Sequence, residues 1–253
     1  MLNIYNQDRT EEEAKAFVQK HYEAVLKEKA GRYYDNLGLI KGDKLNILDF
    51  GCGWGFYSIE LSKKGHTITA IDYPNEIDIC KVAWGKLENV TFSAQKISEL
   101  PENHFDYVLS SQVIEHVHNP GTYLHEINRV LKTNGKLVIS TPNTINPRFI
   151  LPLFSPNIMN NIMEKNHKTL YKYEKSQDHV QAWDPLHFAK LLGSCGFEIE
   201  KYIAGEGIPF PMRKPFPHYI RNWISRISIF RSFSYTMNFR CKKVKYVKID
   251  KND

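Results

Sequence analysis

The chain has no paired cysteines. Its four, Cys52, Cys80, Cys195 and Cys241, are scattered, with no C-x-x-C among them. That excludes a disulfide scaffold and the common structural zinc motifs, and it reads as free thiols in a reducing compartment. It also has no apolar run long enough to span a bilayer. The richest stretch, Phe149 to Ile162, is broken by Pro152, Pro156 and several Asn. The opening Met1-Leu2-Asn3-Ile4 has no basic region followed by an apolar core. No signal peptide is therefore expected, and a cytoplasmic location is. Internal repeats, low-complexity tracts and nucleic-acid recognition motifs are missing too, so no nucleic-acid partner is expected. What remains is ordinary for a globular protein: 253 residues, 42% hydrophobic and 25% charged. That length suits one α/β domain with insertions.

One stretch dominates. Leu45-Asn46-Ile47-Leu48-Asp49-Phe50 is an apolar strand ending near an acid, and Gly51-Cys52-Gly53-Trp54-Gly55 follows with glycine at alternate positions. A second strand, Thr67-Ile68-Thr69-Ala70-Ile71, then ends in Asp72. Glycines allow a sharp turn and a close approach of backbone to ligand. An Asp at the tip of the second strand can accept both hydroxyls of a ribose. The spacing is D-x-G-x-G-x-G, and Phe56 stands near where a dinucleotide fingerprint would place its third glycine.

The rest of the chain alternates in kind. Apolar strands read at 46–50, 67–71, 90–93, 107–110 and 136–140, suited to a sheet buried on both faces. Helices lie between them. Lys63-Lys64-Gly65 stops one, Asn119-Pro120 starts another, and Lys132-Thr133-Asn134-Gly135 reads as its end. Before the first of these strands, Thr10-Glu11-Glu12-Glu13 is a capping box opening a helix, and a second short helix follows around Tyr33 to Ile40. Asp184-Pro185 opens a late helix, then come strands at 197–202 and 241–249. This order predicts a Rossmann-like, doubly wound, mostly parallel seven-stranded α/β sheet.

The glycine motif resembles motif I of the class I S-adenosylmethionine (SAM) methyltransferases. Phe105-Asp106-Tyr107-Val108 with Val113-Ile114-Glu115-His116-Val117 is similar to the fourth strand and turn of the group that includes the ubiquinone-pathway O-methyltransferases. The run Leu124 to Leu137, Asp178-His179-Val180 and Gly196-Phe197 resemble later landmarks of that group. The resemblance implies a single methyltransferase domain. Residues 1–43 would form N-terminal cap helices, 44–143 the SAM-binding core, 144–180 a lid, and 181–253 the end of the core with a basic segment. It implies that Gly51, Gly53 and Gly55 line SAM, that Asp49 helps hold its ammonium end, and that Asp72 takes the ribose hydroxyls beside Tyr73. Ser111 and Gln112 complete that set, with Gln95 standing where many relatives have an acid for the adenine amine.

For chemistry, Gln112, Glu115 and His116 have i, i+3, i+4 spacing, which on a helical turn puts all three on one face. Two functional readings stay open beside a purely structural one. His116 is a general base oriented by Glu115, or Glu115 and His116, completed by Gln112 and His179, hold a divalent cation such as Mg or Mn. Some relatives carry E-x-x-E-H and bind a metal there, whereas here the first acid is Gln112. His179, Tyr171 and Trp183 are candidate substrate contacts near the lid.

Charge is uneven. The net charge is +6, yet the segment from Ile208 onward carries eleven Lys or Arg against two Asp, leaving the remainder net acidic. Residues 208–231 interleave Arg with aromatic and aliphatic residues. That pattern suits a solvated face, a helix resting on anionic lipid, or attraction of an anionic small-molecule acceptor. The function expected is O-methylation of a small hydroxyl-bearing acceptor. A sugar or surface-polysaccharide precursor comes first, a phenolic quinone precursor second, and a non-catalytic SAM-binding partner subunit is the remaining alternative. The oligomeric state is not legible.

Overall fold

The computed structural model describes residues 2–4, 7–28, 31–150, 179–205 and 233–246, with the single positions 154, 157 and 160. A small antiparallel hairpin, β1 (Leu2–Ile4) and β2 (Gln7–Arg9), leads into α1 (Glu11–Glu28) and α2 (Gly31–Leu39). Alternation then begins: β3 (Asn46–Phe50), α3 (Phe56–Ser62), β4 (Thr67–Ile71), α4 (Pro74–Trp84), β5 (Val90–Ser93) and β6 (Phe105–Ser111). Next come α5 (Pro120–Val130), β7 (Leu131–Pro142), α6 (Pro147–Ile150), α7 (Pro185–Ser194), β8 (Phe197–Gly205) and β9 (Thr236–Lys243).

The seven long strands form one sheet in the order β5-β4-β3-β6-β7-β9-β8. β5 to β7 pair in parallel, and β9 runs antiparallel to both β7 and β8. The chain winds outward from β3 to β5, then crosses back to β6. The carboxyl ends of β3 and β6 therefore meet at the point where the winding reverses, which is where open α/β sheets bind ligands.

The strands bury both faces, as their unbroken apolar runs require. Leu48, Val108, Leu137 and Ile139 pack beneath α5 and α7, while Ile47, Ile68, Leu109 and Val138 pack with Leu37 and Leu39 of α2 and Leu61 of α3. α1 lies along α4, where Ala14 and Val18 meet Ile79 and Ala83. The Thr10–Glu13 capping box forms as its spacing requires, with Thr10 N–H donating to Glu13 and Glu13 N–H to Thr10 Oγ1.

Several boundaries differ from the sequence reading. The helix after Pro120 ends at Val130, and 131–135 belong to β7, because Leu131 already pairs with Phe105. The last strand starts at Thr236 rather than Cys241, in register with both β7 and β8. Thr236-Met237-Asn238-Phe239-Arg240-Cys241 alternates polar and apolar residues, with Met237, Phe239 and Cys241 in the core, so the strand signal starts five residues before the expected Cys241. Positions 247–249 lie outside the described residues. The hairpin at 2–9 had no periodic signal. Most of the expected lid, with Tyr171, and all of the basic stretch 208–231 also lie outside the described residues. Among the described residues, no helix is long and apolar enough to cross a membrane.

Candidate active site

Main-chain groups build one half of the site. The N–H groups of Gly51 and Cys52 donate to the Ile71 carbonyl at 2.9 and 3.2 Å, stitching the loop after β3 to the end of β4. Gly51 has φ +76°, and a Cβ there would lie 2.3 Å from Val113 Cγ2, so only hydrogen fits. Gly53 has φ +52° and a different surrounding: a Cβ there meets nothing within 4 Å. Gly55 is crowded again, by Trp84 Nε1 at 3.1 Å and Phe92 at 3.3 Å. The three glycines thus serve different ends. Gly51 and Gly55 allow close packing, and Gly53 borders open space where a ligand can approach.

The acids are held with equal care. Gly53 N–H donates to Asp72 Oδ2 and Tyr73 N–H to Oδ1, both at 2.7 Å. Each carboxylate oxygen has capacity for another donor. Burial pushes the Asp72 carboxyl up, and those two N–H groups oppose the shift. Asp49 is buried and accepts from Ser58 Oγ at 2.6 Å. Burial, opposed by Ser58 and reinforced by Asp72, pushes it up to about 7. A buried carboxyl so destabilised as an anion is poised to receive a cation. Tyr73, 80% exposed, stands beside Asp72. Gln95 is exposed and gives its amide N–H to the Glu99 carbonyl. Cys52 is buried, and the adjacent Cys80 thiol and burial push its thiol up, leaving it a neutral packing residue.

Side chains from distant segments build the other half. Ser111 closes β6, with its Oγ 3.1 Å from Tyr57 OH and 3.0 Å from Ser140 Oγ. Gln112 then adopts φ +59°, a left-handed conformation uncommon outside glycine, with its N–H on the Ser140 carbonyl. Helical geometry begins only at Ile114, as a single 3₁₀ turn through His116. The expectation of one helical face for Gln112, Glu115 and His116 therefore fails, because the backbone reverses at Gln112.

Glu115 is buried, and its Oε2 accepts from Thr141 Oγ1 at 3.1 Å. Its main-chain carbonyl accepts from Val180 and Gln181 N–H at 2.8 and 3.0 Å. Those two bonds carry His179 to His116, with ring centroids 4.9 Å apart. One ligand atom from each of Glu115, His116 and His179 lies within 4.8 Å of the others. Trp183 sits further back. It bridges Asn143 and packs on Phe188 at 5.6 Å, half-buried against the core.

Other histidines serve the fold. His66 Nδ1 accepts from Leu45 N–H, and His187 pairs with the N-cap Asp184 of α7. A groove of about 280 Å³ at the opposite edge of the sheet is lined by Arg129 and Lys243. Their donors are already engaged: Arg129 on the Ile97 and Leu100 carbonyls and the Glu126 carboxylate, Lys243 on the Asn128 and Leu131 carbonyls. Sequence reasoning overlooked the buried Asn36 and Ser140, which hydrogen-bond to Ser111, and the buried Thr236 and Asn238 on β9. Their one signal was polar residues inside segments that otherwise read as core.

A glycine loop bordering open space, a main-chain-held Asp at the next strand tip, and a buried acid between them define a nucleoside-binding α/β enzyme site. The model of the methyltransferase domain family matches residues 18–202, and the chain belongs to that family. It is a SAM-dependent methyltransferase with the Rossmann-like fold. It is 28% identical over 190 residues to the ubiquinone biosynthesis O-methyltransferase of Rickettsia canadensis, covering 74% of this chain and 73% of that one. It is 35% identical over 121 residues to the O-antigen chain terminator bifunctional methyltransferase/kinase of Escherichia coli, covering 44% of this chain but only 16% of that protein. The crystal structure of a SAM-dependent methyltransferase from Aquifex aeolicus superposes with TM-score 0.56 at 15% identity, over 91% of this chain and 98% of that one.

Proposed function

We propose that the protein methylates a hydroxyl of a small acceptor, with a sugar or surface-polysaccharide precursor as first choice. The convergence of His116, His179 and Glu115 at the carboxyl edge carries the oxygen-acceptor reading. The likeness to an O-antigen chain terminator supports the sugar class. The longer likeness to a ubiquinone-pathway enzyme supports a phenolic quinone precursor as the second reading.

The cradle fits SAM. Gly53 leaves room for it, Asp72 offers oriented oxygens for ribose hydroxyls, and Asp49 suits the ammonium end. Tyr73 and Gln95 flank the place for the base, and Ser111 and Gln112 border the methionine side. Bound SAM supplies an electrophilic methyl group on a sulfonium. The chain must then align the acceptor hydroxyl and take its proton. His116 is the base in this reading. Glu115, fixed by Thr141, stabilises the imidazolium, and His179 meets the acceptor from the other side.

The same three side chains support a second reading. Two imidazoles and a carboxylate suit a divalent cation, and such an ion would lower the hydroxyl's pKa. The test is His116→Ala. Turnover should fall at least tenfold, about 1.4 kcal/mol, while S-adenosylhomocysteine affinity stays within twofold. Wild-type turnover in that variant would return His116 to a structural role. Activity lost to a chelator and restored by Mn would favour the cation.

A further inference from the structure

The N-terminal cap takes a second hold on the loop between β3 and α3. Trp54, half-buried between Gly53 and Gly55, meets α1 edge-on twice. Its ring centroid lies 5.6 Å from that of Phe17 and 5.2 Å from that of His21, one helical turn further on. Tyr22, the next residue of α1, packs on Trp84 at 5.0 Å and on Phe56, the first residue of α3, at 5.6 Å. α4 holds Trp54 as well. Trp84 Nε1 donates to the Trp54 carbonyl at 2.8 Å, and the Glu76 carboxylate takes the indole N–H of Trp54, the one donor of that side chain. The hairpin reaches the other arm of the cradle. Asn3 N–H donates to Asn75 Oδ1 at 3.2 Å, and the Asn3 carbonyl accepts from Asn75 Nδ2 at 2.8 Å, close along the chain to Asp72. Arg9 of β2 lies 4.5 Å over the Phe17 ring, joining hairpin, helix and loop.

These contacts set an equilibrium as well as a shape. The cap rests on the smallest of the three apolar clusters among the described residues, Ile4, Ala14 and Val18 against Ile79 and Ala83, whereas the two larger clusters flank the sheet. An element held by few buried apolar groups opens at a lower free energy than the core. When the cap opens, Trp54 loses both ring contacts and keeps only its ties to α4. Gly53 and Gly55, on either side, have the most backbone freedom to regain, so ordering the loop afresh costs conformational entropy. A cofactor seated against Gly53 needs that order. Binding and cap docking therefore favour each other, and by linkage each does so by the same factor.

We propose that Trp54 is a positioning residue that couples cofactor binding to docking of the N-terminal cap. Phe17 and His21 act through its ring, and the flanking Gly53 and Gly55 pass the order on to the cradle. The coupling rests on the SAM cradle proposed above and is independent of the acceptor.

Amide hydrogen exchange of the whole chain, with and without S-adenosylhomocysteine at about a hundred times its Kd, tests the coupling beside calorimetric titration. In the wild type, bound ligand should slow exchange in α1 about tenfold more than in α5, on the opposite face of the sheet. Trp54→Ala should weaken binding about tenfold and remove that difference. Trp54→Phe keeps a ring for Phe17 and His21 to meet, and it should restore both to within about threefold of wild type. Phe17→Ala leaves the loop sequence intact, so it separates coupling from damage to the loop, and it should weaken binding about fivefold. Equal slowing of α1 and α5 in a wild type that binds the ligand would overturn the coupling alone. Wild-type affinity in Phe17→Ala would do the same, and so would a Trp54→Phe variant no better than Trp54→Ala. A wild type that binds no S-adenosylhomocysteine would overturn the cradle and the coupling together.

Discussion

The two halves of the site are made differently. Around Gly51, Gly53 and Asp72, neighbouring strands hold every group through main-chain hydrogen bonds between the ends of β3 and β4. Around Glu115, His116 and His179, side chains arrive from a 3₁₀ turn, β7 and a segment just before α7. The first half is local in the chain and tolerates little change in residue type. The second is assembled by packing, so its chemistry can vary while the sheet stays constant. One fold can therefore keep its cofactor and change its acceptor.

The largest effect should come from Gly53→Arg. The new side chain would enter the open space beside the loop from a left-handed backbone position. S-adenosylhomocysteine affinity should fall at least about a thousandfold, roughly 4 kcal/mol. Calorimetric titration of a variant that melts like wild type would check it, and retained affinity would dismantle the first half of the contrast.

Asp49→Asn comes next and probes the electrostatic cost of that half. In the unfolded chain this carboxyl ionises near pH 4, about 3.9, whereas in the fold burial delays ionisation to about 7. Between those values the folded state holds the extra proton, so stability falls as pH rises and levels off above about 7. Replacement by Asn should be neutral near pH 4 and stabilise the free protein by up to about 4 kcal/mol at pH 8. Urea melts across that range measure it. A pH-independent difference would mean that Asp49 is already ionised.

The smallest effect belongs to the far edge of the sheet. Lys132 pairs with Asp106 at 2.8 Å, and both side chains are partly exposed. Lys132→Met should cost about 0.5 kcal/mol in stability and nothing in cofactor binding. A change in S-adenosylhomocysteine affinity there would blur the distinction between scaffold and site.

Most of the fold could be read in advance because its signals are local. Apolar runs at 46–50 and 67–71, the glycine spacing and Asn119-Pro120 each act within a few residues, and the structure realises them. β9 was legible only in part: its alternation of Met237, Phe239 and Cys241 with polar residues starts at Thr236, before the expected Cys241, and pairing with β7 on one side and β8 on the other fixes that start. Gln112 misled for a related reason. Its i, i+3, i+4 spacing assumes a helix that begins two residues too early, and the Ser140 carbonyl draws its N–H into a different turn.

By itself the sequence determined the alternating parallel strands, the glycine loop and the acids near the first two strand ends. Strand and turn propensities and main-chain hydrogen bonding between adjacent strands are short-range and written residue by residue. Only the tertiary structure decided that His179 meets His116, and that Asn36, Ser140, Thr236 and Asn238 share one buried row. Those meetings depend on how separate elements stack and register, and no periodicity in a single segment records which distant side chain will face it.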